Sequence, residues 1–419
     1  MKKLLTMILV LSMVVAMTAC GGNSEAGNEE SKIDDEKPAE ESGNGGEKKV
    51  LNIGLSWVPG NLDPIESWNS WVLCRVGCGE NLVQIDENAE FKPVVAESYE
   101  RLDDKTVVFI IREGVYFHNG TKVDAAACKA SIERALAAED RSELKFPCQE
   151  ILAEGMTLTI TTSEPFATLV NNLSDPFYII VDAKAAQEEG FANKPITTGA
   201  FKVVEFTPDE GIKLVKHDQH WSGPIQVDEI NASYMSDGST RSLALQSGEL
   251  DVTQRLEARD VDILEENPEF SVQRGPNLRV VFIRPNMDRE YMQDKNLRMA
   301  IHYGIDQKTY AEKIVGAQPA NGPFYDQLPF AAEKEMPFTY YTEKAKELLD
   351  EAGFTDSDGD GIREYKGENL HLSYLLKGDN CGDTVNIATD IQAQLKEIGL
   401  ELELNIVENY SDMVSAGEF

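Results

Sequence analysis

The sequence is poor in the residues from which catalytic and nucleic-acid-binding sites are built. Its 419 residues hold five histidines, six cysteines and four tryptophans. They contain no Gly-x-Ser-x-Gly, no His-Glu-x-x-His and no glycine loop of the kind that cradles phosphate. Each of those motifs brings a nucleophile, a metal pair or an anion cradle to one turn of chain, so without them the chain is not expected to be an enzyme, and no cofactor is required. Positive charge is also scarce, with 39 Lys and Arg against 73 Asp and Glu, a net charge of −34. Such a field repels a phosphate backbone, which excludes a nucleic-acid partner and favours a well-solvated surface. Apolar runs long enough to span a bilayer are missing as well: the mostly apolar stretch Leu4 to Val15 is short for a membrane helix.

That run is nevertheless informative. Lys2 and Lys3 form a basic start, Leu4 to Val15 an apolar centre, and Met17-Thr18-Ala19 a small-residue junction before Cys20. Residues 1–19 therefore read as a signal peptide. Cys20 resembles the acylated cysteine of a bacterial lipoprotein, with Met17 standing where leucine is usual; an ordinary cleaved signal beside a cysteine is the alternative. Residues 20–48 are Gly, Ser, Asn, Glu and Lys with almost nothing apolar, a disordered tether behind the lipidated Cys20. The mature chain would then sit on the outer face of the cytoplasmic membrane or in the periplasm, attached through lipid. Five other cysteines cannot all pair internally. Cys74 and Cys78 lack a second pair or a flanking His to make a metal site, and pairing of Cys128 with Cys148 stays open.

From Val50 onward the patterning is α/β, in enough chain for two domains. Val50–Ser56, Thr106–Arg112, Thr157–Thr162, Phe201–Phe206 with its partner Ile212–Val215, Leu278–Asn286 and Leu400–Ile406 read as strands. Thr106–Arg112 is expected to be buried on both faces. Asp124 is placed to cap a helix over 125–138. Ser239 or Thr240 should cap a helix with Leu243, Ala244 and Leu245 on its apolar side, and Thr342 one over 343–352. A further helix over 384–398 should stop at Gly399. His118 beside the Asn119-Gly120 turn reads as structural, and His217 and His220 as solvent-facing.

Several blocks of wording resemble a known family. Thr198-Gly-Ala-Phe-Lys202, Trp221 shortly before Gly223-Pro224, and Ser239-Thr-Arg-x-x-Ala-Leu-Gln-Ser-Gly-Glu-Leu-Asp251 come in order, after Leu62-Asp-Pro64 and Arg112-Glu-Gly-Val-x-Phe-His-Asn-Gly120. Together they resemble family 5 of the extracellular solute-binding proteins, the peptide/nickel group that serves ABC importers. The resemblance implies a two-lobed periplasmic-binding-protein type II fold. Lobe one would span 49–285, with an extra subdomain at about 81–190, and lobe two 286–419. Relatives of this kind continue past Phe419, so the sequence is expected to be a fragment with an incomplete second lobe. The implied partners are an ABC permease and its ATPase, with hinge closure burying the ligand.

The resemblance also points to a ligand segment. Trp57 follows the first strand, and Trp68, Trp71 and Arg75 follow Asn61-Leu-Asp-Pro64 at near-helical spacing. The two tryptophans suit either core packing or ligand contact. Nickel-binding relatives carry an Arg in the approach Ser174–Tyr178 to meet a chelator's carboxylates. Here Asp175 and Tyr178 stand there, which weighs against a straight copy of that site. Oligopeptide is thus the leading ligand, nickel or another metal chelate the alternative, and a ligand-sensing lipoprotein without transport a reading of another class. Separately, Asp356, Asp358, Asp360 and Glu364 alternate around Gly359 and Gly361 like the start of a calcium loop, but the glutamate expected at the twelfth position is Gly367. A solvated acidic turn is the alternative.

Overall fold

In the computed structural model the described residues are 48–419, except 87, 89, 276–278, 321, 325–330, 332–338 and 378–381. The expected signal peptide, Cys20, the expected tether up to residue 47 and Cys381 lie outside them. Among the described residues no helix is long and apolar enough to cross a membrane, and Cys74, Cys78, Cys128 and Cys148 are all free thiols.

Two sheets organise residues 50–253. The larger has five strands in the order 252–253, 50–55, 229–234, 211–216 and 201–207. Its first three strands run parallel. The other two are antiparallel, joined by the turn expected between Phe206 and Ile212 and bulged between Val203 and Glu205. Two glycines set close approaches that any side chain would block. A Cβ on Gly54 would lie 2.5 Å from Leu250 Cδ1, and one on Gly199 would lie 2.2 Å from the Cys78 carbonyl oxygen. The second sheet is antiparallel, in the order 96–101, 106–111, 157–162 and 148–154. Helix Ala125–Ala137 packs on it, started by the Asp124 carboxylate, which accepts from the Ala127 N–H at 2.8 Å.

Three apolar cores follow from this arrangement. One gathers Phe109, Phe117, Leu158 and Tyr178 beneath the antiparallel sheet. A second gathers Leu55, Leu62, Leu73, Ile212 and Leu214 beneath the mixed sheet. The third, farther along the chain, is built by helices Lys295–Tyr303, Thr342–Glu351 and Gly382–Glu397 against the parallel pair His371–Lys377 and Glu401–Val407.

Several expectations need correction. Residues 279–286 form no strand, and Leu278 lies outside the described residues. Alternation is not enough without a neighbouring strand to take the backbone groups, and Val281 and Phe282 stand 74% and 68% exposed. Thr106–Ile111 buries Val107, Phe109 and Ile111 on one face only, because just one side of its sheet is covered. Helix Gly238–Gln246 is capped by Asp237, not by Ser239 or Thr240. Its buried side is Arg241, Ser242 and Ala244, while Leu243 faces outward. Helix Thr342–Glu351 includes Thr342 and has no side-chain cap.

Candidate functional site

Ligand sites in open α/β sheets lie beyond the carboxyl ends of parallel strands, and this is where the strand 50–55 delivers Trp57. From there the chain bends through Asn61–Ser67 into the short helix Asn69–Arg75. That helix carries Trp71, with Trp68 just before it and Arg75 at its end. Trp57 is exposed, Trp68 more so, and Trp71 is half-buried with its indole N–H enclosed and unpartnered. The Arg75 guanidinium carbon lies 5.9 Å from the Trp71 ring centroid.

The structure adds a residue that the sequence reasoning missed. Arg141, in the turn after helix Ala125–Ala137, places its guanidinium 3.8 Å from the Trp68 ring centroid. A cation so close to an indole face, out of water, is held by the ring's negative quadrupole. The turn is fixed from both sides. Ser67 and Arg141 both adopt left-handed backbone conformations, with φ of 48° and 52°, each at a cost of about 1–2 kcal/mol. The Ser67 N–H donates to the Asp140 carboxylate at 2.8 Å. Arg141 Nε donates to Glu143 at 2.5 Å, and Nη2 stands 3.9 Å from Asp175. Its third nitrogen, Nη1, is buried with no hydrogen-bond partner, on a side chain only 9% exposed.

Asp175 and Tyr178 gather around the same turn. Asp175 starts the short helix Pro176–Tyr178 by accepting from the Phe177 N–H at 2.9 Å. Burial pushes its carboxyl above the ordinary range, against the opposing pull of the Phe177 N–H and Arg141. Tyr178 is 2% exposed, and its hydroxyl donates to the Leu144 carbonyl at 3.0 Å. It braces the turn from inside the core and does not face a cleft, because its polar atom is already spent. The expected contrast between Asp175 and an arginine at that approach therefore dissolves: an arginine does reach the approach, supplied by another segment.

Behind this rim lies a polar hub. The Glu80 carboxylate, 12% exposed, accepts from Thr198 Oγ1 at 2.9 Å, His220 Nε2 at 3.0 Å and Trp221 Nε1 at 3.2 Å. The Arg112 guanidinium stacks 4.3 Å from the Trp221 centroid. His217 and His220 are thus packed inside, contrary to expectation. His118 packs edge-on against His217 at 5.1 Å and donates to the Gly199 carbonyl at 3.0 Å. Burial lowers the His118 pKa to about 3, as befits a structural histidine. The signal that could have found this hub was the spacing of two histidines beside a Trp, read as buried.

At the acidic loop, one oxygen each of Asp356, Asp358 and Glu364 lies within 4.8 Å of the others. Asp360 stands apart: its two oxygens take the Ile362 N–H and the Asn369 amide. Asp356 is partly occupied by the Gly359 and Gly361 N–H groups, and Glu364 by the Ser357 hydroxyl. Three of the four expected ligands therefore converge.

Trp57 and Trp68 stand exposed beyond the carboxyl end of the parallel strand 50–55, an arrangement suited to holding a solute. The chain matches the bacterial extracellular solute-binding proteins, family 5, over residues 90–419, and it belongs to that family. It is 26% identical to the nickel-binding protein NikA of Staphylococcus aureus over 363 residues, 86% of this chain and 70% of that protein. It is 24% identical to the glutathione-binding protein GsiB of Pectobacterium atrosepticum over 370 residues, 86% of this chain and 69% of that one. Among solved structures, the nickel ABC transporter protein of Bacillus halodurans superposes with a TM-score of 0.63 at 33% identity, covering 88% of this chain and 76% of that one. The two-lobed type II binding-protein fold follows from these likenesses. Relatives of this family are solute-binding proteins of ABC importers, outside the cytoplasm, and not enzymes.

Proposed function

We propose that the chain captures a compact, carboxylate-bearing solute for an ABC permease, and that this solute is a nickel chelate. One observation carries the reading: the buried guanidinium of Arg141, pinned on Trp68 with Nη1 lacking an acceptor. The guanidinium is paired through Nε with Glu143, but a buried N–H without an acceptor is costly, and a ligand carboxylate would supply what Nη1 lacks. Trp57, Trp68 and Trp71 would wall the ligand, and Arg75 would stand at the other end of a helix about 10 Å long by its rise per residue. Asp175, 3.9 Å from Arg141 Nη2, would help hold the guanidinium in place. The nickel-binding protein and the nickel transporter protein among the relatives support this choice.

A second reading is a short peptide, favoured by the glutathione-binding relative; glutathione also carries carboxylates. Calorimetry separates the two. Nickel with L-histidine or citrate should bind at micromolar dissociation constant or tighter, and Arg141→Gln should weaken it at least tenfold. Tight binding of glutathione or a mixed peptide pool, with none of any nickel chelate, would reverse the choice.

A further inference from the structure

The loop that carries Trp68 and the chain that carries Arg141 are tied together at three successive points. Asp63 meets Arg134, in the last turn of helix Ala125–Ala137, with a carboxylate oxygen 2.5 Å from Nη2. Ser67 then donates its N–H to Asp140, and the Trp68 ring lies against the Arg141 guanidinium. Both segments advance in the same direction through these contacts, so the loop runs alongside the helix end. The first tie is enclosed: the Arg134 and Asp63 side chains are 17% and 11% exposed, and the Phe191 ring centroid lies 5.2 Å from the guanidinium carbon. The second tie lies at the surface.

The loop between the ties is stiffened from within. The Asn61 side-chain oxygen accepts from the Asp63 N–H and from the Asn69 amide, both at 2.9 Å. Asp63 in turn accepts from the Ile65 N–H at 3.3 Å. Neither Ser67 nor Arg141 is a glycine, yet both hold a left-handed backbone beside the stacked pair. Such a conformation persists only where its surroundings over-determine it, and the ties do so. Trp68 is 52% exposed, so core packing does not fix its ring. The course of the backbone from Asp63 to Ser67 is what brings it to Arg141.

We propose that Asp63 and Asp140 are positioning residues for the binding rim. Acting through Arg134 and through the Ser67 N–H, they deliver Trp68 to Arg141 before a ligand arrives. This rests on the reading of Arg141 as the cation that meets a ligand carboxylate. Ordering one rotamer-rich side chain on binding costs a factor of about 2–13 in affinity, so a rim ordered beforehand binds more tightly. Charge alone predicts the opposite, because removing a carboxylate close to Arg141 should strengthen the binding of an anion. Position and charge therefore differ in sign.

The test compares Asp140→Ala, Asp140→Asn and Asp63→Asn with wild type in two readouts. One is the calorimetric affinity for nickel citrate. The other is acrylamide quenching of Trp68, taken as the difference between each protein and its Trp68→Phe counterpart. Asp140→Ala and Asp63→Asn should bind about fivefold more weakly, with Trp68 more readily quenched. Asp140→Asn, whose side-chain oxygen can still accept the Ser67 N–H, should return both readouts to near wild type. Unchanged or tighter binding in Asp140→Ala overturns the proposal, as does equal weakening in Asp140→Asn. If the wild type binds no nickel citrate, the carboxylate reading fails and quenching decides alone. A rise in Asp140→Ala that is absent in Asp140→Asn then supports the positioning role, and no rise overturns it. Breaking the enclosed pair strands a charge and can unfold the chain; if Asp63→Asn shows no cooperative urea transition, the two variants at the exposed Asp140 decide.

Discussion

Replacing Glu80 with alanine is expected to be among the most damaging single changes in the chain. Among the described residues the carboxylate is the acceptor for the Trp221 indole N–H and for His220 Nε2, and it also takes the Thr198 hydroxyl. Thr198 is fully buried and the His220 side chain only 5% exposed, so little water reaches the donors once the acceptor is gone. Leaving a buried donor unsatisfied costs about 1–3 kcal/mol. The hydroxyl can rotate to another acceptor, and His220 can carry its proton on Nδ1, 2.8 Å from Ser222 Oγ, whereas the indole N–H has no such alternative. One stranded donor, with partial relief for the other two, gives a loss of roughly 2–4 kcal/mol. That is a large share of the roughly 5–15 kcal/mol typical of a folded domain. Urea unfolding followed by circular dichroism would read the loss as a lowered midpoint. Glu80→Gln should cost less, since its amide oxygen still accepts from one side. A double-mutant cycle with His220→Ala should return a coupling of about 0.5–3 kcal/mol. A loss below about 1 kcal/mol for Glu80→Ala, or no coupling to His220, would refute the hub as a structural unit.

Other expectations are quicker to state. Burial holds His118 neutral in the folded chain down to about pH 3, and it lowers His217 too. The unfolded chain takes up protons at ordinary histidine pKa, so the stability tied to these rings is present above about pH 6.5. It declines as pH falls towards 3, and urea midpoints across that window should fall less steeply in His118→Gln than in wild type. If Asp356, Asp358 and Glu364 hold calcium, millimolar calcium should raise the melting temperature through binding to the folded state, and Asp358→Ala should cancel the rise; no rise returns the loop to a solvated turn. Anchoring through Cys20 predicts that cells take up a fatty-acid analogue into the wild type and not into Cys20→Ser, and equal labelling would remove the lipid anchor.

What was legible in the sequence was what depends on neighbours along the chain. Asp124 caps its helix because the N–H it accepts is three residues away, and Gly399 ends its helix because only the residue at that point must turn left-handed, with φ of 84°. The strand pair 201–207 and 211–216 was legible for the same reason, since a short turn fixes its register. The strand expected over 278–286 failed because a strand needs a partner from elsewhere, and its own alternation says nothing about whether one arrives. The site obeys the same division. Trp68 could be weighed as core or as ligand wall, yet it is a platform for Arg141, which lies 73 residues onward in a left-handed turn that no residue preference for arginine signals. Asp175 was read as the loss of a cation from the approach, when the cation comes to it from another segment. Charge at a binding rim is therefore a property of which segments meet, and a position-by-position comparison of one segment with its counterpart in a relative can reverse the sign of the conclusion. Here the lack of an arginine in 174–178 had weighed against a straight copy of the nickel site, while Arg141 comes within 3.9 Å of Asp175 from the segment after helix Ala125–Ala137.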